Sequence, residues 1–167
     1  MGCLPFYEKL ELSRKARSLA SVLKAVGIRL SVESFEDRLR AQKVVYMLQL
    51  HKEFRRYLDF DFSMFLYGPY SPELAHVYYH MLKEVRELAE VSFSTSALAY
   101  ARDVDAMSTE KLEVLATLAE AMKVNRGACE EEIVKVVHEL KPRYSLEKLH
   151  RYLLSLKSLA KKYDLAL

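Results

Sequence analysis

Residues 60–74 read FDFSMFLYGPYSPEL, and this stretch specifies its local structure more tightly than any other in the chain. Apolar and polar side chains alternate from Phe60 to Ser63, which predicts a β-strand. The strand becomes apolar on both faces by Tyr67. A strand with one face exposed to solvent at its start and both faces buried at its end is expected to run into the protein core.

A turn and a helix start follow this strand directly. Gly68 tolerates a positive φ and Pro69 cannot donate a ladder hydrogen bond, so together they are predicted to end the strand. Ser71 is a good N-cap, Pro72 suits the first helical position, and Glu73 favours the positive end of the helix dipole. A strand, a sharp turn and a capped helix are therefore predicted within one short segment.

The composition indicates one globular domain in a reducing compartment. The chain has 167 residues, 51% of them hydrophobic, which is enough to bury a core. No apolar run approaches the roughly 20 residues that cross a bilayer, and the N-terminus lacks the pattern of a secretion signal. Cys3 and Cys129 are too few for a disulfide framework. We therefore expect a cytoplasmic protein, and the scarcity of Asn and Gln indicates a heat-adapted source.

Charge is distributed unevenly along the chain. Residues 1–60 carry 12 Lys and Arg against 7 Asp and Glu, residues 61–140 carry 7 against 14, and residues 141–167 carry 7 against 2. Such blocks attract partners of opposite charge, or they neutralise one another within the fold or between subunits. The sequence leaves both interpretations open.

Helical periodicity accounts for most of the remaining chain. The predicted fold class is mainly α, a compact bundle of about six helices with one short β-strand or hairpin leading into the Gly-Pro turn. The predicted helices span residues 5–26, 35–57, 72–90, 108–124, 128–141 and 145–163. Residues 91–107 break the periodicity and are predicted as a loop with room for a short helix or strand. A single domain, 1–167, is expected, with a weak subdivision into 1–91 and 108–167 as the alternative.

The second predicted helix has a polar edge beside its apolar face. Gln42, Tyr46 and Gln49 follow one another at i, i+4 and i+7. Buried amide and phenol groups need hydrogen-bond partners. These side chains either bind the strand and turn that follow or belong to a recognition surface.

Two segments carry a resemblance to known families: RAQKVVYMLQ, residues 40–49, and FLYGPYSPEL, residues 65–74. They resemble the YwgA-like group of prokaryotic proteins and, more distantly, the Panacea (SocA-like antitoxin) domain. Members share a helix with a Leu-Gln-Lys-Leu-x-Tyr core, a short strand ending in Tyr-Gly-Pro and a helix that starts with proline. The residues kept here are Gln42, Lys43, Tyr46, Tyr67, Gly68, Pro69 and Pro72. Ala41 and Val44 stand where leucine is usual, and the resemblance covers about residues 35–90.

The resemblance implies a function without catalysis. Panacea domains are associated with toxin–antitoxin and phage-linked loci, where they neutralise or deliver a protein partner. Tyrosines provide large contact area at little entropic cost and are enriched in binding hot spots, and several gather at the Gly-Pro turn. The candidate interaction residues are Gln42, Lys43, Tyr46, Tyr67, Gly68, Pro69, Tyr70, Ser71, Pro72 and Glu73. In the alternative interpretation the same cluster only pins the turn onto the core.

Motifs that carry chemistry are scarce. The four glycines are scattered singly, so there is no phosphate-binding loop. His76 and His80 are spaced like two helical metal ligands, but no Cys/His pair elsewhere completes a zinc set. Glutamates near Cys129 disfavour a reactive thiolate. We therefore expect no enzyme activity, no cofactor and no metal site.

A nucleic-acid-binding function is the alternative, because the last three predicted helices have the order of a three-helix DNA-binding domain. The mainly polar side of the last helix carries His150, Arg151, Lys157, Lys161 and Lys162. Attraction of phosphates by these side chains supports weak, salt-sensitive binding. The apolar face of the same helix suits packing within the chain or across a homodimer. The two hypotheses are thus a protein-binding regulatory module, with a toxin or regulator as partner, and a transcription-regulator-like DNA binder.

Overall fold

The computed structural model describes residues 5–167, and within that range seven α-helices accompany one antiparallel β-hairpin. The elements are α1 (Phe6–Val26), α2 (Phe35–Gln49), β1 (Ser63–Phe65), β2 (Gly68–Tyr70), α3 (Pro72–His76), α4 (Thr95–Asp105), α5 (Thr109–Val124), α6 (Glu130–Leu140) and α7 (Leu146–Tyr163). The predicted fold class, mainly helical with one short hairpin, is confirmed. No helix in this range combines the length and apolar character that a membrane span requires.

Serine N-caps start five of the seven helices. The capping residues are Ser34, Ser71, Ser94, Ser108 and Ser145, and each hydroxyl accepts the backbone N–H three residues further on. Asp37 completes a capping box at α2 by accepting the N–H of Ser34 at 3.0 Å. Gly27 closes α1 in the left-handed conformation, with φ at 73°. Local signals therefore predicted most helix starts correctly.

Two predicted helices are too long. The helix predicted over 35–57 ends at Gln49, because the chain then turns to bring Phe54 and Leu58 into the core, each 0% exposed. The helix predicted over 72–90 continues only as α3, a π-helical turn at Val77–Met81 and a 3₁₀ turn. Residues beyond it run extended along α1, where Ser21 accepts the N–H of Ala89 at 3.1 Å.

The loop predicted over residues 91–107 contains α4. Ala97, Tyr100, Ala101 and Val104 are all 0% exposed and follow helical spacing, so burial of this stripe stabilises the helix. The hydroxyl of Tyr100 donates to the backbone oxygen of Met47 on α2. The suggested subdivision at this loop stays a prediction.

The hairpin differs from the predicted strand in which part is buried. Only Ser63–Phe65 pairs, with Phe65 opposite Gly68. The Gly-Pro pair forms the inner strand instead of ending the sheet: Gly68 and Pro69 are buried, whereas Leu66 is 72% exposed. This arrangement follows from packing, since β2 lies against α2 and α5 and β1 covers it from outside.

α2 and α5 pack on each other at the centre of the molecule. Every residue from 41 to 48 on α2 and from 112 to 121 on α5 is buried. Between the two helices, the Tyr46 hydroxyl donates to Glu120 at 2.9 Å, and both side chains are buried. The hairpin rests on this pair, so its position is set by the two most buried helices.

Candidate functional site

Two glutamines on α2 hold the chain on both sides of the hairpin. Ser71 donates its N–H to Gln42 at 2.8 Å, and the Gln42 amide donates to the Ser71 carbonyl at 3.0 Å. Gln49 forms the same pair of bonds with the backbone of Phe60, at 3.0 and 2.8 Å. Each amide therefore satisfies a backbone donor and acceptor as a neighbouring strand would. The two glutamines of the polar edge therefore bind the strand and turn that follow α2, whereas Tyr46 donates to Glu120 of α5.

Lys43 of α2 holds β2 by a hydrogen bond to its backbone. Its side chain is 1% exposed, and Nζ donates to the carbonyl oxygen of Pro69 at 2.6 Å. Burial lowers the pKa of Lys43 to about 7, Glu113 raises it and Lys141 lowers it further. The amine can donate this hydrogen bond in its charged and in its neutral form, so β2 stays attached to α2.

The remaining predicted interaction residues divide into buried and exposed ones. Ser71 is the buried N-cap of α3, and the Tyr46 hydroxyl donates its hydrogen bond to Glu120. Glu73 is half-buried and accepts from Lys15 of α1 at 2.8 Å, which anchors the start of α3. Tyr67 is 44% exposed at the hairpin tip. Tyr70 is half-buried and Pro72 is exposed.

An exposed apolar surface surrounds the hairpin tip. Phe65 and Leu66 are 54% and 72% exposed, and Phe35 at the start of α2 is 57% exposed. The rings of Phe35 and Tyr67 meet edge to face with centroids 5.3 Å apart. Tyr79, in the π-helical turn, is 50% exposed on the same surface.

These side chains line a cavity of about 330 Å³ that we call the hairpin groove. Its lining consists of Phe35, Arg38, Leu39, Gln42, Lys43, Phe65, Leu66, Tyr67, Gly68, Tyr70, Tyr78 and Tyr79. The structure thus brings together the candidates Gln42, Lys43, Tyr67, Gly68 and Tyr70. Such a groove is suited to binding apolar groups.

Sequence reasoning missed several groove residues, above all Phe35, Arg38 and Leu66. A signal existed for Phe35, since a large apolar side chain directly after the Ser34 cap has no preceding turn to pack on. Alternation along the predicted strand places Leu66 on the same side as Phe60, Phe62 and Met64, yet Leu66 is 72% exposed. The side of the hairpin that faces solvent depends on α2 and α5, which strand periodicity does not encode.

The nucleic-acid candidates lie on α7, where three of the five are close to carboxylates. Lys157 pairs with Glu130, Lys162 with Asp103 at 3.2 Å, and Arg151 with Glu147 at 3.5 Å. His150 is half-buried and Lys161 is exposed. Neighbouring carboxylates reduce the positive potential that phosphate binding requires. DNA binding stays a prediction.

The histidines and the described cysteine considered as metal ligands or nucleophiles lie apart from the hairpin groove lining. The rings of His76 and His80 lie 4.8 Å apart. Among residues 5–167, no three His, Cys, Asp or Glu side chains are grouped so as to hold a metal ion. Cys129 is exposed at the start of α6, and Cys3 lies outside the described residues.

The fold and this surface define a helical protein that carries a braced hairpin with an exposed apolar tip. No family model matches the chain, and neither a curated protein nor a solved structure is significantly similar to it. The resemblance to YwgA-like and Panacea proteins therefore stays a prediction from residues 35–90.

Proposed function

We propose that this protein is a non-catalytic regulatory module that binds another protein at the tip of its hairpin. The observation that carries the proposal is the exposure of three consecutive apolar side chains, Phe65, Leu66 and Tyr67, by 54%, 72% and 44%. Contiguous exposed apolar surface on a folded protein marks interaction sites. Isolated exposed apolar residues are common, but here the three adjoin Phe35 and Tyr79.

The rigid base of the hairpin supports the proposal. Lys43 holds the carbonyl of Pro69, and Gln42 holds the backbone of Ser71. A surface that is already ordered loses little conformational entropy when a partner binds. Aromatic side chains in such positions contribute a large share of binding free energy.

The family resemblance extends the proposal to the kind of regulation. An antitoxin-like module acts by occupying its partner, which requires a binding surface and no reaction chemistry. The partner would then be a toxin or another regulator, bound through the hairpin tip. This proposal places Tyr67, Tyr70 and Leu66 in contact with the partner and leaves Gln42, Lys43 and Ser71 beneath the surface as its support.

The proposal is tested by comparing two leucine-to-serine variants. Leu66→Ser removes an apolar side chain from the hairpin tip, and Leu154→Ser is the matched control on α7, where Leu154 is 51% exposed. Affinity capture from a lysate of the source organism, followed by mass spectrometry, should recover one shared partner with the wild type and with Leu154→Ser. Leu66→Ser should lose that partner while its melting temperature stays unchanged. Retention of the partner by Leu66→Ser would refute the proposal.

A further inference from the structure

We infer that the hairpin groove receives a bulky apolar side chain with a carboxylate next to it, presented by a segment of the partner protein. The inference rests on the proposed function, since it concerns the chemistry of that same partner. It is carried by two independent properties of the groove, its size and its charge.

The size of the groove suits one large side chain and its neighbour. Its volume of about 330 Å³ lies at the lower end of the range for small-molecule and cofactor sites, roughly 300–1,000 Å³. Six of its twelve lining residues are aromatic, including Phe35, Tyr67 and Tyr79. An aromatic group can pack on these rings edge to face or by stacking, and a branched aliphatic group can pack against their faces.

The charge of the groove is positive. Arg38 is the lining residue that carries a permanent positive charge, since the Lys43 amine is buried and bonded to the Pro69 carbonyl, and no Asp or Glu of the described chain lines the groove. Arg38 forms no ion pair with any carboxylate in residues 5–167; its Nη1 donates to the carbonyl oxygens of Val32 and Glu33, both at 3.3 Å. A guanidinium carries five N–H donors, so others remain for an anion.

Asp37, the residue before Arg38 on α2, interacts with it electrostatically but forms no ion pair with it. Asp37 accepts the N–H of Ser34 and the hydroxyl of Ser31, both at 3.0 Å. Its carboxylate is thereby committed to the start of the helix. A carboxylate supplied by the partner would therefore find an available guanidinium beside the apolar walls.

The shape of the surface favours a chain segment over a free small molecule. Leu66 is 72% exposed and still lines the groove, so the groove is open along the hairpin tip. A peptide can place one side chain in the groove and extend across the neighbouring tip. A small molecule would use only the groove itself.

The experiment titrates the ¹⁵N-labelled protein with short amidated Gly/Ser peptides that contain one Phe–Glu, Phe–Gln or Ser–Glu pair. The Phe–Glu peptide should shift the backbone amides of residues 35–42 and 65–70. Replacing its Glu by Gln should weaken binding about tenfold, the effect of one charge-assisted hydrogen bond. Arg38→Gln should abolish that difference, whereas Arg151→Gln on α7 should preserve it. The Ser–Glu peptide should not bind measurably.

The inference is overturned if the Phe–Glu and Phe–Gln peptides bind equally or if their shifts map elsewhere. It is also overturned if phenylacetate binds as tightly as the Phe–Glu peptide, because a small anion is then the occupant. A wild-type dimer in light scattering that Leu66→Ser dissociates would overturn it as well, because a second copy of the chain is then the occupant. If capture of the native partner still depends on Leu66 in these cases, the proposed function stands without this inference.

Discussion

Lys43 is a residue whose chemistry departs strongly from its usual behaviour in water. Burial lowers its pKa from the ordinary 10.5 to about 7, because the charged amine loses its hydration. Its hydrogen bond to Pro69 persists in the neutral form. The folded protein therefore binds fewer protons at this position than the unfolded chain between pH 7 and 10.5, so stability should rise with pH across that range.

We predict that the free energy of unfolding rises by about 2 kcal/mol between pH 7 and pH 9 through Lys43. Below pH 7 the cost of burying the charge is fully present, because both states are protonated. Lys43→Met should lose this rise, and Lys161→Met, an exposed control, should keep it. Urea unfolding at pH 7, 8 and 9 measures the difference. Equal pH dependence in the wild type and Lys43→Met would contradict the prediction.

The hairpin depends on a glycine for both its backbone and its packing. Gly68 has φ at 85°, a left-handed conformation that side chains disfavour. A Cβ at this position would also overlap the Thr117 hydroxyl oxygen of α5 and lie 3.6 Å from the Glu113 carbonyl. Gly127 has a similar φ of 89°, but a Cβ there would have no atom within 4 Å.

Comparing alanine substitutions at Gly68 and Gly127 distinguishes the cost of backbone strain from the cost of packing at the hairpin. Gly68→Ala should lower the free energy of unfolding by about 3 kcal/mol, from left-handed strain together with displacement of α5. Gly127→Ala should lower it by about 1 kcal/mol, from strain alone. Chemical denaturation of both variants gives the comparison. Similar losses would mean that the hairpin does not pack on α5 as closely as described.

At the scale of the whole molecule, the charge blocks of the sequence meet within one subunit. Glu73 from the acidic middle pairs with Lys15, and Asp103 and Glu130 pair with lysines of α7. Glu113 forms a buried ion pair with Lys141, and Arg143 approaches the same carboxylate at 3.4 Å. These contacts support neutralisation within the fold as the role of the blocks.

Removing one charge of the buried Glu113–Lys141 pair should lower the free energy of unfolding more than removing both. Glu113→Ala leaves the Lys141 ammonium, 4% exposed, without its partner and should cost about 4 kcal/mol. Replacing both Glu113 and Lys141 by methionine should recover most of this loss, because neither charge of the pair is then left buried without its partner. Glu110→Ala, which breaks an exposed pair with Lys148, should cost under about 1 kcal/mol. Unfolding curves would contradict this if the double variant were the least stable.

The sequence identified many residues of the candidate site, but it did not predict which of them face solvent or which contacts hold them. Tyr67, Gly68, Pro69 and Tyr70 were selected from the sequence, and they lie together at the hairpin. Lys43 was selected as well, yet its bond to Pro69 joins positions 26 residues apart. Contacts of this kind arise only when α2 and the hairpin are packed, so residue type and spacing do not reveal them.

What the sequence determined by itself is the helical class and the points at which most helices begin. Ser34, Ser71, Ser108 and Ser145 act within a single turn, so their effect is readable from adjacent residues. Only the tertiary structure decided where α2 ends, that residues 95–105 form a helix, and which strand of the hairpin is buried. Those outcomes depend on the free energy of packing distant apolar side chains into one core, and that energy is a property of the assembled fold.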